Sequence, residues 1–191
     1  LRILVFGGSF NPVHVGHLVL AEELRAEFGY DIVLLVPSRQ PPHKALRDDP
    51  GADHRLAMLR AAVEGDSSLA IDDCELGREG FSYTIDTLRE LPGRYELDGK
   101  PGLVIGDDLI PGFPSWRDPG GIAAAADLIC AHRSRAEELP MDFPHCYARN
   151  SIVEISSSMV RERIASGRPF RRLLDPSVYR YIVERGLYGL R

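Results

Sequence analysis

The chain has 191 residues, of which 44% are hydrophobic and 27% charged, with a formal net charge of −5. That apolar content excludes general disorder, and the length suffices to bury a core without disulfide or metal staples. The acidic balance argues against a non-specific nucleic-acid coat, and no apolar run approaches the roughly 20 residues of a membrane span.

The charge is uneven. Residues 161–191 hold eight arginines against three acids, and residues 1–160 hold 15 bases against 25 acids. Most of the tail arginines read as a solvated helical face, with one or two available to an anionic ligand. The cysteines are Cys74, Cys130 and Cys146, an odd number without a CxxC spacing. They suggest neither a disulfide framework nor a zinc site, and a reducing cytoplasm is the expected compartment. Leu1-Arg2 leads directly into a strand-like run with no signal-peptide pattern. A start at Leu rather than Met reads as the loss of a residue or two.

Residues 3–6 form a continuous β-rich run ended by Gly7-Gly8. Leu18, Leu20, Ala21, Leu24 and Phe28 recur at helical spacing, and Gly29 is a stop signal. Residues 31–36 read as a second strand, followed by a polar loop over 38–51. Asp53 is expected to cap a helix reaching Val63, and residues 69–74 to form a third strand. Ser82 is expected to cap a helix through Leu91, before a fourth strand over 103–105. Residues 121–126 read as a short helix and 128–131 as a fifth strand. Residues 134–150 read as loop, 152–155 as a sixth strand, and 156–165 and 177–185 as two final helices.

Continuously apolar strands are buried on both faces, and alternation with helices makes a parallel sheet wrapped on both sides. The expected class is therefore α/β, doubly wound, with ligands at the carboxyl ends of the strands. No long repeat, low-complexity segment or interdomain linker is visible. Residues 1–191 are expected to form one domain, helical from about 156 onward.

The most informative stretch is Gly7-Gly8-Ser9-Phe10-Asn11-Pro12-Val13-His14-Val15-Gly16-His17. A glycine-rich turn between a first strand and a helix N-terminus cradles phosphate, because free N–H groups and the helix dipole favour an anion. GxGxxG and GxxxxGK[ST] are absent, and a GxSxG elbow would need Gly at position 11. His14 and His17 are three apart, on one side of a nascent helix, with Gly16 leaving room for a ligand. A lone histidine is more often structural; a pair beside such a turn points to phosphate. HExxH is absent and no third zinc ligand is evident, so imidazole donors to a phosphoryl group fit better. A second strand-to-helix stretch, Ile155-Ser156-Ser157-Ser158-Met159-Val160-Arg161, joins three serines to an arginine. One serine is expected to cap the helix, and Arg161 can fork onto phosphate oxygens.

GGSFNPVHVGH resembles the (T/H)xGH signature of the nucleotidyltransferase superfamily, and ISSSMVR is similar to its second signature, ISSTxIR. Pro41-Pro42-His43-Lys44, residues 81–88 (FSYTIDTL), and Gly106-Asp107-Asp108 followed by Trp116 resemble the bacterial nicotinate-nucleotide adenylyltransferases. These motifs span residues 7–161 in the family's order.

The resemblance implies a Rossmann-like nucleotidyltransferase fold and adenylyl transfer. The phosphate of nicotinate mononucleotide attacks the α-phosphorus of ATP in line, giving deamido-NAD and pyrophosphate in NAD biosynthesis. Mg²⁺ rides on the ATP phosphates, and no protein metal site is expected. His14, His17 and Arg161 are the implied catalytic residues. On the ATP side the resemblance implies Gly7, Gly8, Ser9 and Phe10 near the nucleotide, with Gly16 beside the histidines. Gly106 and Asp108 would meet the ribose, Ser157 and Ser158 would join Arg161 on the β- and γ-phosphates, and Arg133 would lie in the nucleotide region.

On the acceptor side it implies Asn11, and Lys44 reaching phosphate. Tyr83 and Thr84 would bind the nicotinate carboxylate through backbone N–H groups, and Trp116 would stack on the pyridine; core packing is the competing reading of the tryptophan. Ser9 and Ser158 replace commoner threonines, Asn11 a commoner aspartate, and Asp107 stands where a small or neutral residue is common. Rival readings are transfer to nicotinamide mononucleotide or phosphopantetheine, and a nucleotide-binding module without catalysis. A homo-oligomer is left open; no nucleic-acid or membrane partner is expected.

Overall fold

A computed structural model describes residues 1–42, 46–133 and 137–190. Its first half runs β1 (Ile3–Gly8), α1 (Val15–Phe28), β2 (Ile32–Pro37), α2 (Ala52–Val63), β3 (Leu69–Ile71) and α3 (Thr84–Arg94). Its second half runs β4 (Gly102–Gly106), α4 (Pro119–Ala125), β5 (Asp127–Ala131), β6 (His145–Tyr147), α5 (Ser157–Ala165) and α6 (Pro176–Arg185). Short 3-10 turns lie at Ile110–Ser115, Arg171–Leu173 and Leu187–Gly189.

The strands form one sheet in the order β3-β2-β1-β4-β5-β6, every pairing parallel. This is the expected doubly wound class. Side chains alternate across β1, so the two faces feed separate cores. Leu4 and Phe6 join Leu24, Met58, Val160 and Ile182 on one face. Ile3 and Val5 join Ile85, Leu88, Phe113 and Ile122 on the other. Each fully buried aliphatic contributes about 1.5–3 kcal/mol relative to exposure. The chain reverses its direction of growth between β1 and β4, which opens a crevice at their carboxyl ends.

Local chemistry sets most boundaries. Gly29 takes the left-handed conformation, φ 67°, that closes α1. Ser156 caps α5, accepting the Met159 N–H at 3.1 Å. Asp118 caps α4 by accepting the Gly121 N–H at 3.0 Å, so that helix starts earlier than expected. Two expected caps are corrected. Gly51 precedes α2, with Asp53 inside the first turn, and Tyr83 rather than Ser82 precedes α3. The Ser82 hydroxyl is turned elsewhere, accepting the Arg39 N–H at 3.0 Å.

The sixth strand is also corrected. It is His145–Tyr147, paired with β5 through Leu128↔His145, Ile129↔Cys146 and Cys130↔Tyr147. The apolar stretch over 152–155 folds on itself instead, with the Ile155 N–H on the Val153 carbonyl at 2.7 Å. That irregular segment walls a cavity. Among the described residues, no helix is long and apolar enough to cross a membrane.

Candidate active site

Two cavities open at the carboxyl ends of β1 and β4. One, of about 390 Å³, is lined by residues of α1, the 151–156 segment and Met159, with His132 opposite. The other, of about 270 Å³, lies between the ends of β1 and β2, the start of α3, Trp116 and the serines of α5. His17, Asp108, Arg133 and Ser156 line both. The cleft is therefore two-lobed, with those four residues at the waist.

The histidine pair sits where α1 begins. His14 donates its backbone N–H to Nδ1 of His17 at 3.2 Å, and the rings stack at 3.7 Å. Burial, then the nearby Arg133 charge, brings His14 down to about 3. Burial, then His14 and Arg133, holds His17 well below its ordinary 6.5. Both rings are neutral near pH 7. A neutral His17 that accepts on Nδ1 carries its proton on Nε2, so Nε2–H is a donor. Among the described residues, both ring nitrogens of His14 are buried without a hydrogen-bond partner.

The turn ahead of the histidines is held by its carbonyls. Arg55, 1% exposed, donates to Ser9 O at 2.8 Å and Ser38 O at 2.7 Å, and reaches Asp49 at 3.1 Å. Arg161 donates to Asn11 O at 2.7 Å, and Ser157 to Pro12 O at 2.9 Å. The peptide bond Asn11-Pro12 is cis, and Phe10 is at φ 45°.

Most expected site residues gather at the cleft. Gly7, Gly8, Ser9, Tyr83, Thr84, Trp116, Ser157 and Ser158 line the smaller lobe. His14 and Gly16 line the larger. A Cβ on Gly7 would meet nothing within 4 Å, so it would enter open space in the cleft. A Cβ on Gly16 would lie 3.1 Å from His14 Nδ1, so Gly16 makes room for the His14 ring. At Gly106 a Cβ would meet Arg133 Cδ at 2.6 Å; the glycine lets Arg133 approach Asp108, 3.4 Å from its guanidinium.

Asp107 is buried and accepts the Arg133 backbone N–H at 3.1 Å, fixing the end of β5 against that of β4. Trp116 lies 5.1 Å from Phe113, so it both packs on the core and walls the lobe.

Three expectations shift. Asn11 is 2% exposed and lines neither lobe. Its amide donates to Arg47 O at 3.1 Å and its carbonyl oxygen accepts from Tyr188 at 2.9 Å, so it braces the turn instead of meeting a substrate. Phe10 is buried behind the site, 5.1 Å from the His17 ring. Arg161 stands behind the serines, donating to Ser158 Oγ at 3.3 Å with Asp48 at 3.7 Å. Lys44 lies outside the described residues.

The model of the cytidylyltransferase-like family matches residues 5–163. A Borrelia garinii protein named probable nicotinate-nucleotide adenylyltransferase is 42% identical over 188 residues, 98% of this chain and 95% of that one. A Borreliella afzelii protein of the same name is also 42% identical, over 98% of this chain and 97% of its own.

This chain belongs to the nicotinate-nucleotide adenylyltransferase family. A solved structure of Plasmodium falciparum nicotinic acid mononucleotide adenylyltransferase complexed with NaAD aligns with a TM-score of 0.80. It is 19% identical and covers 100% of this chain and 98% of its own; that likeness speaks for the fold.

This family member also carries site residues that sequence reasoning missed. Arg117 lines the smaller lobe, its guanidinium 4.7 Å over the Tyr83 ring. Glu75 lines the same lobe, 7% exposed. His132 lines the larger one. Arg55 had a signal only in hindsight, as a charge on the apolar face of a helix.

Proposed function

We propose that this protein transfers the adenylyl group of ATP to nicotinate mononucleotide, releasing pyrophosphate and forming deamido-NAD. The observation that carries the reading is the two-lobed cleft, whose lobes meet at His17, Asp108, Arg133 and Ser156. A group transfer needs two substrates whose reacting atoms meet at one waist. In this reading the larger lobe takes the adenosine end of ATP and the smaller takes the pyridine nucleotide.

An oxygen of the acceptor phosphate attacks the α-phosphorus of ATP. The bond from that phosphorus to the β-bridging oxygen breaks, and the electron pair leaves with pyrophosphate. The attacking phosphate is already anionic, so no protein base is required. Catalysis is alignment plus stabilisation of charge on the phosphoryl oxygens.

Neutral His17 is suited to this, because its Nε2–H donates without needing a proton from solvent. His14 stacks beside it with both nitrogens unspent. Arg133 supplies a fixed positive charge at the waist. Ser157, Ser158 and Arg161 behind them would hold the departing phosphates, with Asp48 displaced from the guanidinium. Asp108 would meet the ATP ribose.

Magnesium would arrive on the ATP phosphates as part of the substrate. The side chains assigned to the phosphates are imidazole, hydroxyl and guanidinium donors, so the phosphate oxygens themselves would hold the ion.

The start of α3 brings Tyr83 and Thr84 to the smaller lobe, and the N–H groups of a helix's first turn favour a carboxylate. Trp116 would stack on the ring, and Arg117 adds positive charge. These features favour the acid nucleotide over nicotinamide mononucleotide or phosphopantetheine.

The test is pyrophosphate release from ATP and Mg²⁺ with each of the three acceptors in parallel. Release with nicotinate mononucleotide at clearly the highest kcat/KM is the expected result. Equal or better use of the amide would assign another acceptor. Silence with all three, from folded protein that binds ATP, would leave a nucleotide-binding module.

A further inference from the structure

Glu75 is a buried carboxyl group in the acceptor lobe that the transfer chemistry does not use. It sits in the loop after β3, and two hydroxyl groups of the α3 region converge on it. Thr87 Oγ1 donates to Glu75 Oε1 at 2.6 Å, and Ser82 is a second polar neighbour.

The Thr87 hydroxyl serves two partners. Thr87 Oγ1 already accepts from Arg78 Nη1 at 2.8 Å, and Ser82 Oγ accepts the Arg39 N–H at 3.0 Å. The Thr87 hydroxyl hydrogen goes to Glu75. Arg78 also pairs with Glu90 on α3 at 2.7 Å, and the Arg39 side chain donates to Arg78 O at 3.0 Å. The loop, the start of α3 and the turn after β2 are tied together through Arg78, Thr87 and Glu75.

We propose that Glu75 sets the selectivity of this lobe for a ring carboxylate over a ring carboxamide, acting as a positioning residue. The inference rests on the acceptor assigned above.

The physical argument has two parts. Glu75 occupies the hydroxyl hydrogen of Thr87, and Arg39 occupies the oxygen of Ser82; both residues line the lobe. Hydroxyl oxygens committed to Arg39 and Arg78 are poor acceptors for a carboxamide NH₂. The same bonds fix the first turn of α3, whose N–H groups must point at an anion to recognise it. A carboxylate gains from that alignment in both oxygens. A carboxamide offers one acceptor and brings an NH₂ group that meets donors.

In Glu75→Gln, an NH₂ group replaces one acceptor oxygen. With that NH₂ group turned to Thr87, the Thr87 hydroxyl hydrogen loses its acceptor, and the network is broken at equal side-chain size. The opposing effect is simple charge repulsion between Glu75 and a bound carboxylate, which Gln would relieve. The two accounts predict opposite signs.

The experiment compares full-length wild type, Glu75→Gln and Thr87→Val with nicotinate and nicotinamide mononucleotides. Thr87→Val removes a donor to Glu75 while keeping a branched side chain, and serves if the Gln variant folds poorly. The readouts are KM, kcat and the kcat/KM ratio of acid to amide. Quenching of Trp116, the chain's one tryptophan, reports acceptor binding without turnover.

The acid-to-amide ratio should fall roughly tenfold in either variant, through acceptor KM, with ATP KM little changed. The dissociation constant of nicotinate mononucleotide from Trp116 quenching should rise in parallel. A merely structural role would weaken both acceptors equally. A ratio that stays constant or rises overturns the inference while leaving the functional reading intact. A wild type without acid preference overturns both.

Discussion

The backbone N–H of His14 binds Nδ1 of His17 at 3.2 Å, which commits the neutral His17 ring to carry its proton on Nε2. Burial and Arg133 hold both histidines below their ordinary 6.5. The kcat profile should therefore show no limb near 6.5 from either ring. His17→Ala should lower kcat about 10²–10³-fold, the loss typical of an oxyanion donor, with ATP binding retained. Steady-state kinetics from pH 5 to 8 checks both points.

The same histidines link stability to pH. His14 titrates near 3 in the folded protein and near 6.5 when unfolded. Between those values the unfolded chain binds more protons, so stability falls as pH drops. The slope is about 1.4 kcal/mol per pH unit for each such histidine. Urea unfolding at pH 7, 6 and 5 should show this loss, and His14→Asn should show a shallower one. Equal slopes in the two proteins would refute the assignment.

The sheet and the phosphate turn were legible in the sequence because their signals are local and dense. Continuous apolar runs announce buried parallel strands, and Gly7-Gly8 followed by His14 and His17 marks a strand-to-helix phosphate site. β6 was not legible: three residues are too few for a periodicity, and only pairing with β5 defines them. Asn11 was misread for a related reason. Its position inside the motif suggested contact with a substrate, but its partners, Arg47 and Tyr188, lie 36 and 177 residues away. Glu75 and Arg55 escaped notice because single charges in loops and helices look like solvated surface until a fold buries them.

Arg55 carries a prediction of magnitude. It is 1% exposed and serves Ser9 O, Ser38 O and Asp49. Arg55→Met leaves two buried carbonyl groups and a carboxylate without their partner. The cost should be about 3–5 kcal/mol, the range for breaking a buried charge network. Arg60 on the same helix pairs with Asp73 at 3.4 Å, but its side chain is 64% exposed. Arg60→Met should stay within about 0.5 kcal/mol. Chemical denaturation of the two variants gives the comparison.

Gly7 separates folding from binding. A Cβ there meets no protein atom within 4 Å, so Gly7→Ala should leave the thermal midpoint nearly unchanged. The methyl group would still intrude on the lobe that Gly7 lines. Substrate KM should rise about tenfold or more, since a 1 Å misplacement can cost that much and beyond. Unchanged kinetics would show that no substrate passes close to Gly7.

Tyr188 tests how far the catalytic turn depends on the end of the chain. Its hydroxyl donates to Asn11 Oδ1 at 2.9 Å, and burial pushes that phenol above its ordinary range. Asn11 also donates to Arg47 O, and its own carbonyl accepts from Arg161. One hydrogen bond thus joins the final 3-10 turn to the turn whose carbonyl anchors Arg161. Tyr188→Phe keeps the ring in place and strands the Asn11 oxygen. The expected loss is about 1–3 kcal/mol of stability, a fall of roughly 2–10 °C in Tm for a chain of this size. Arg161 would also be less firmly placed, so kcat should drop while acceptor KM stays near the wild-type value. A lower Tm with unaltered kcat would limit Tyr188 to stability and detach the end of the chain from the chemistry.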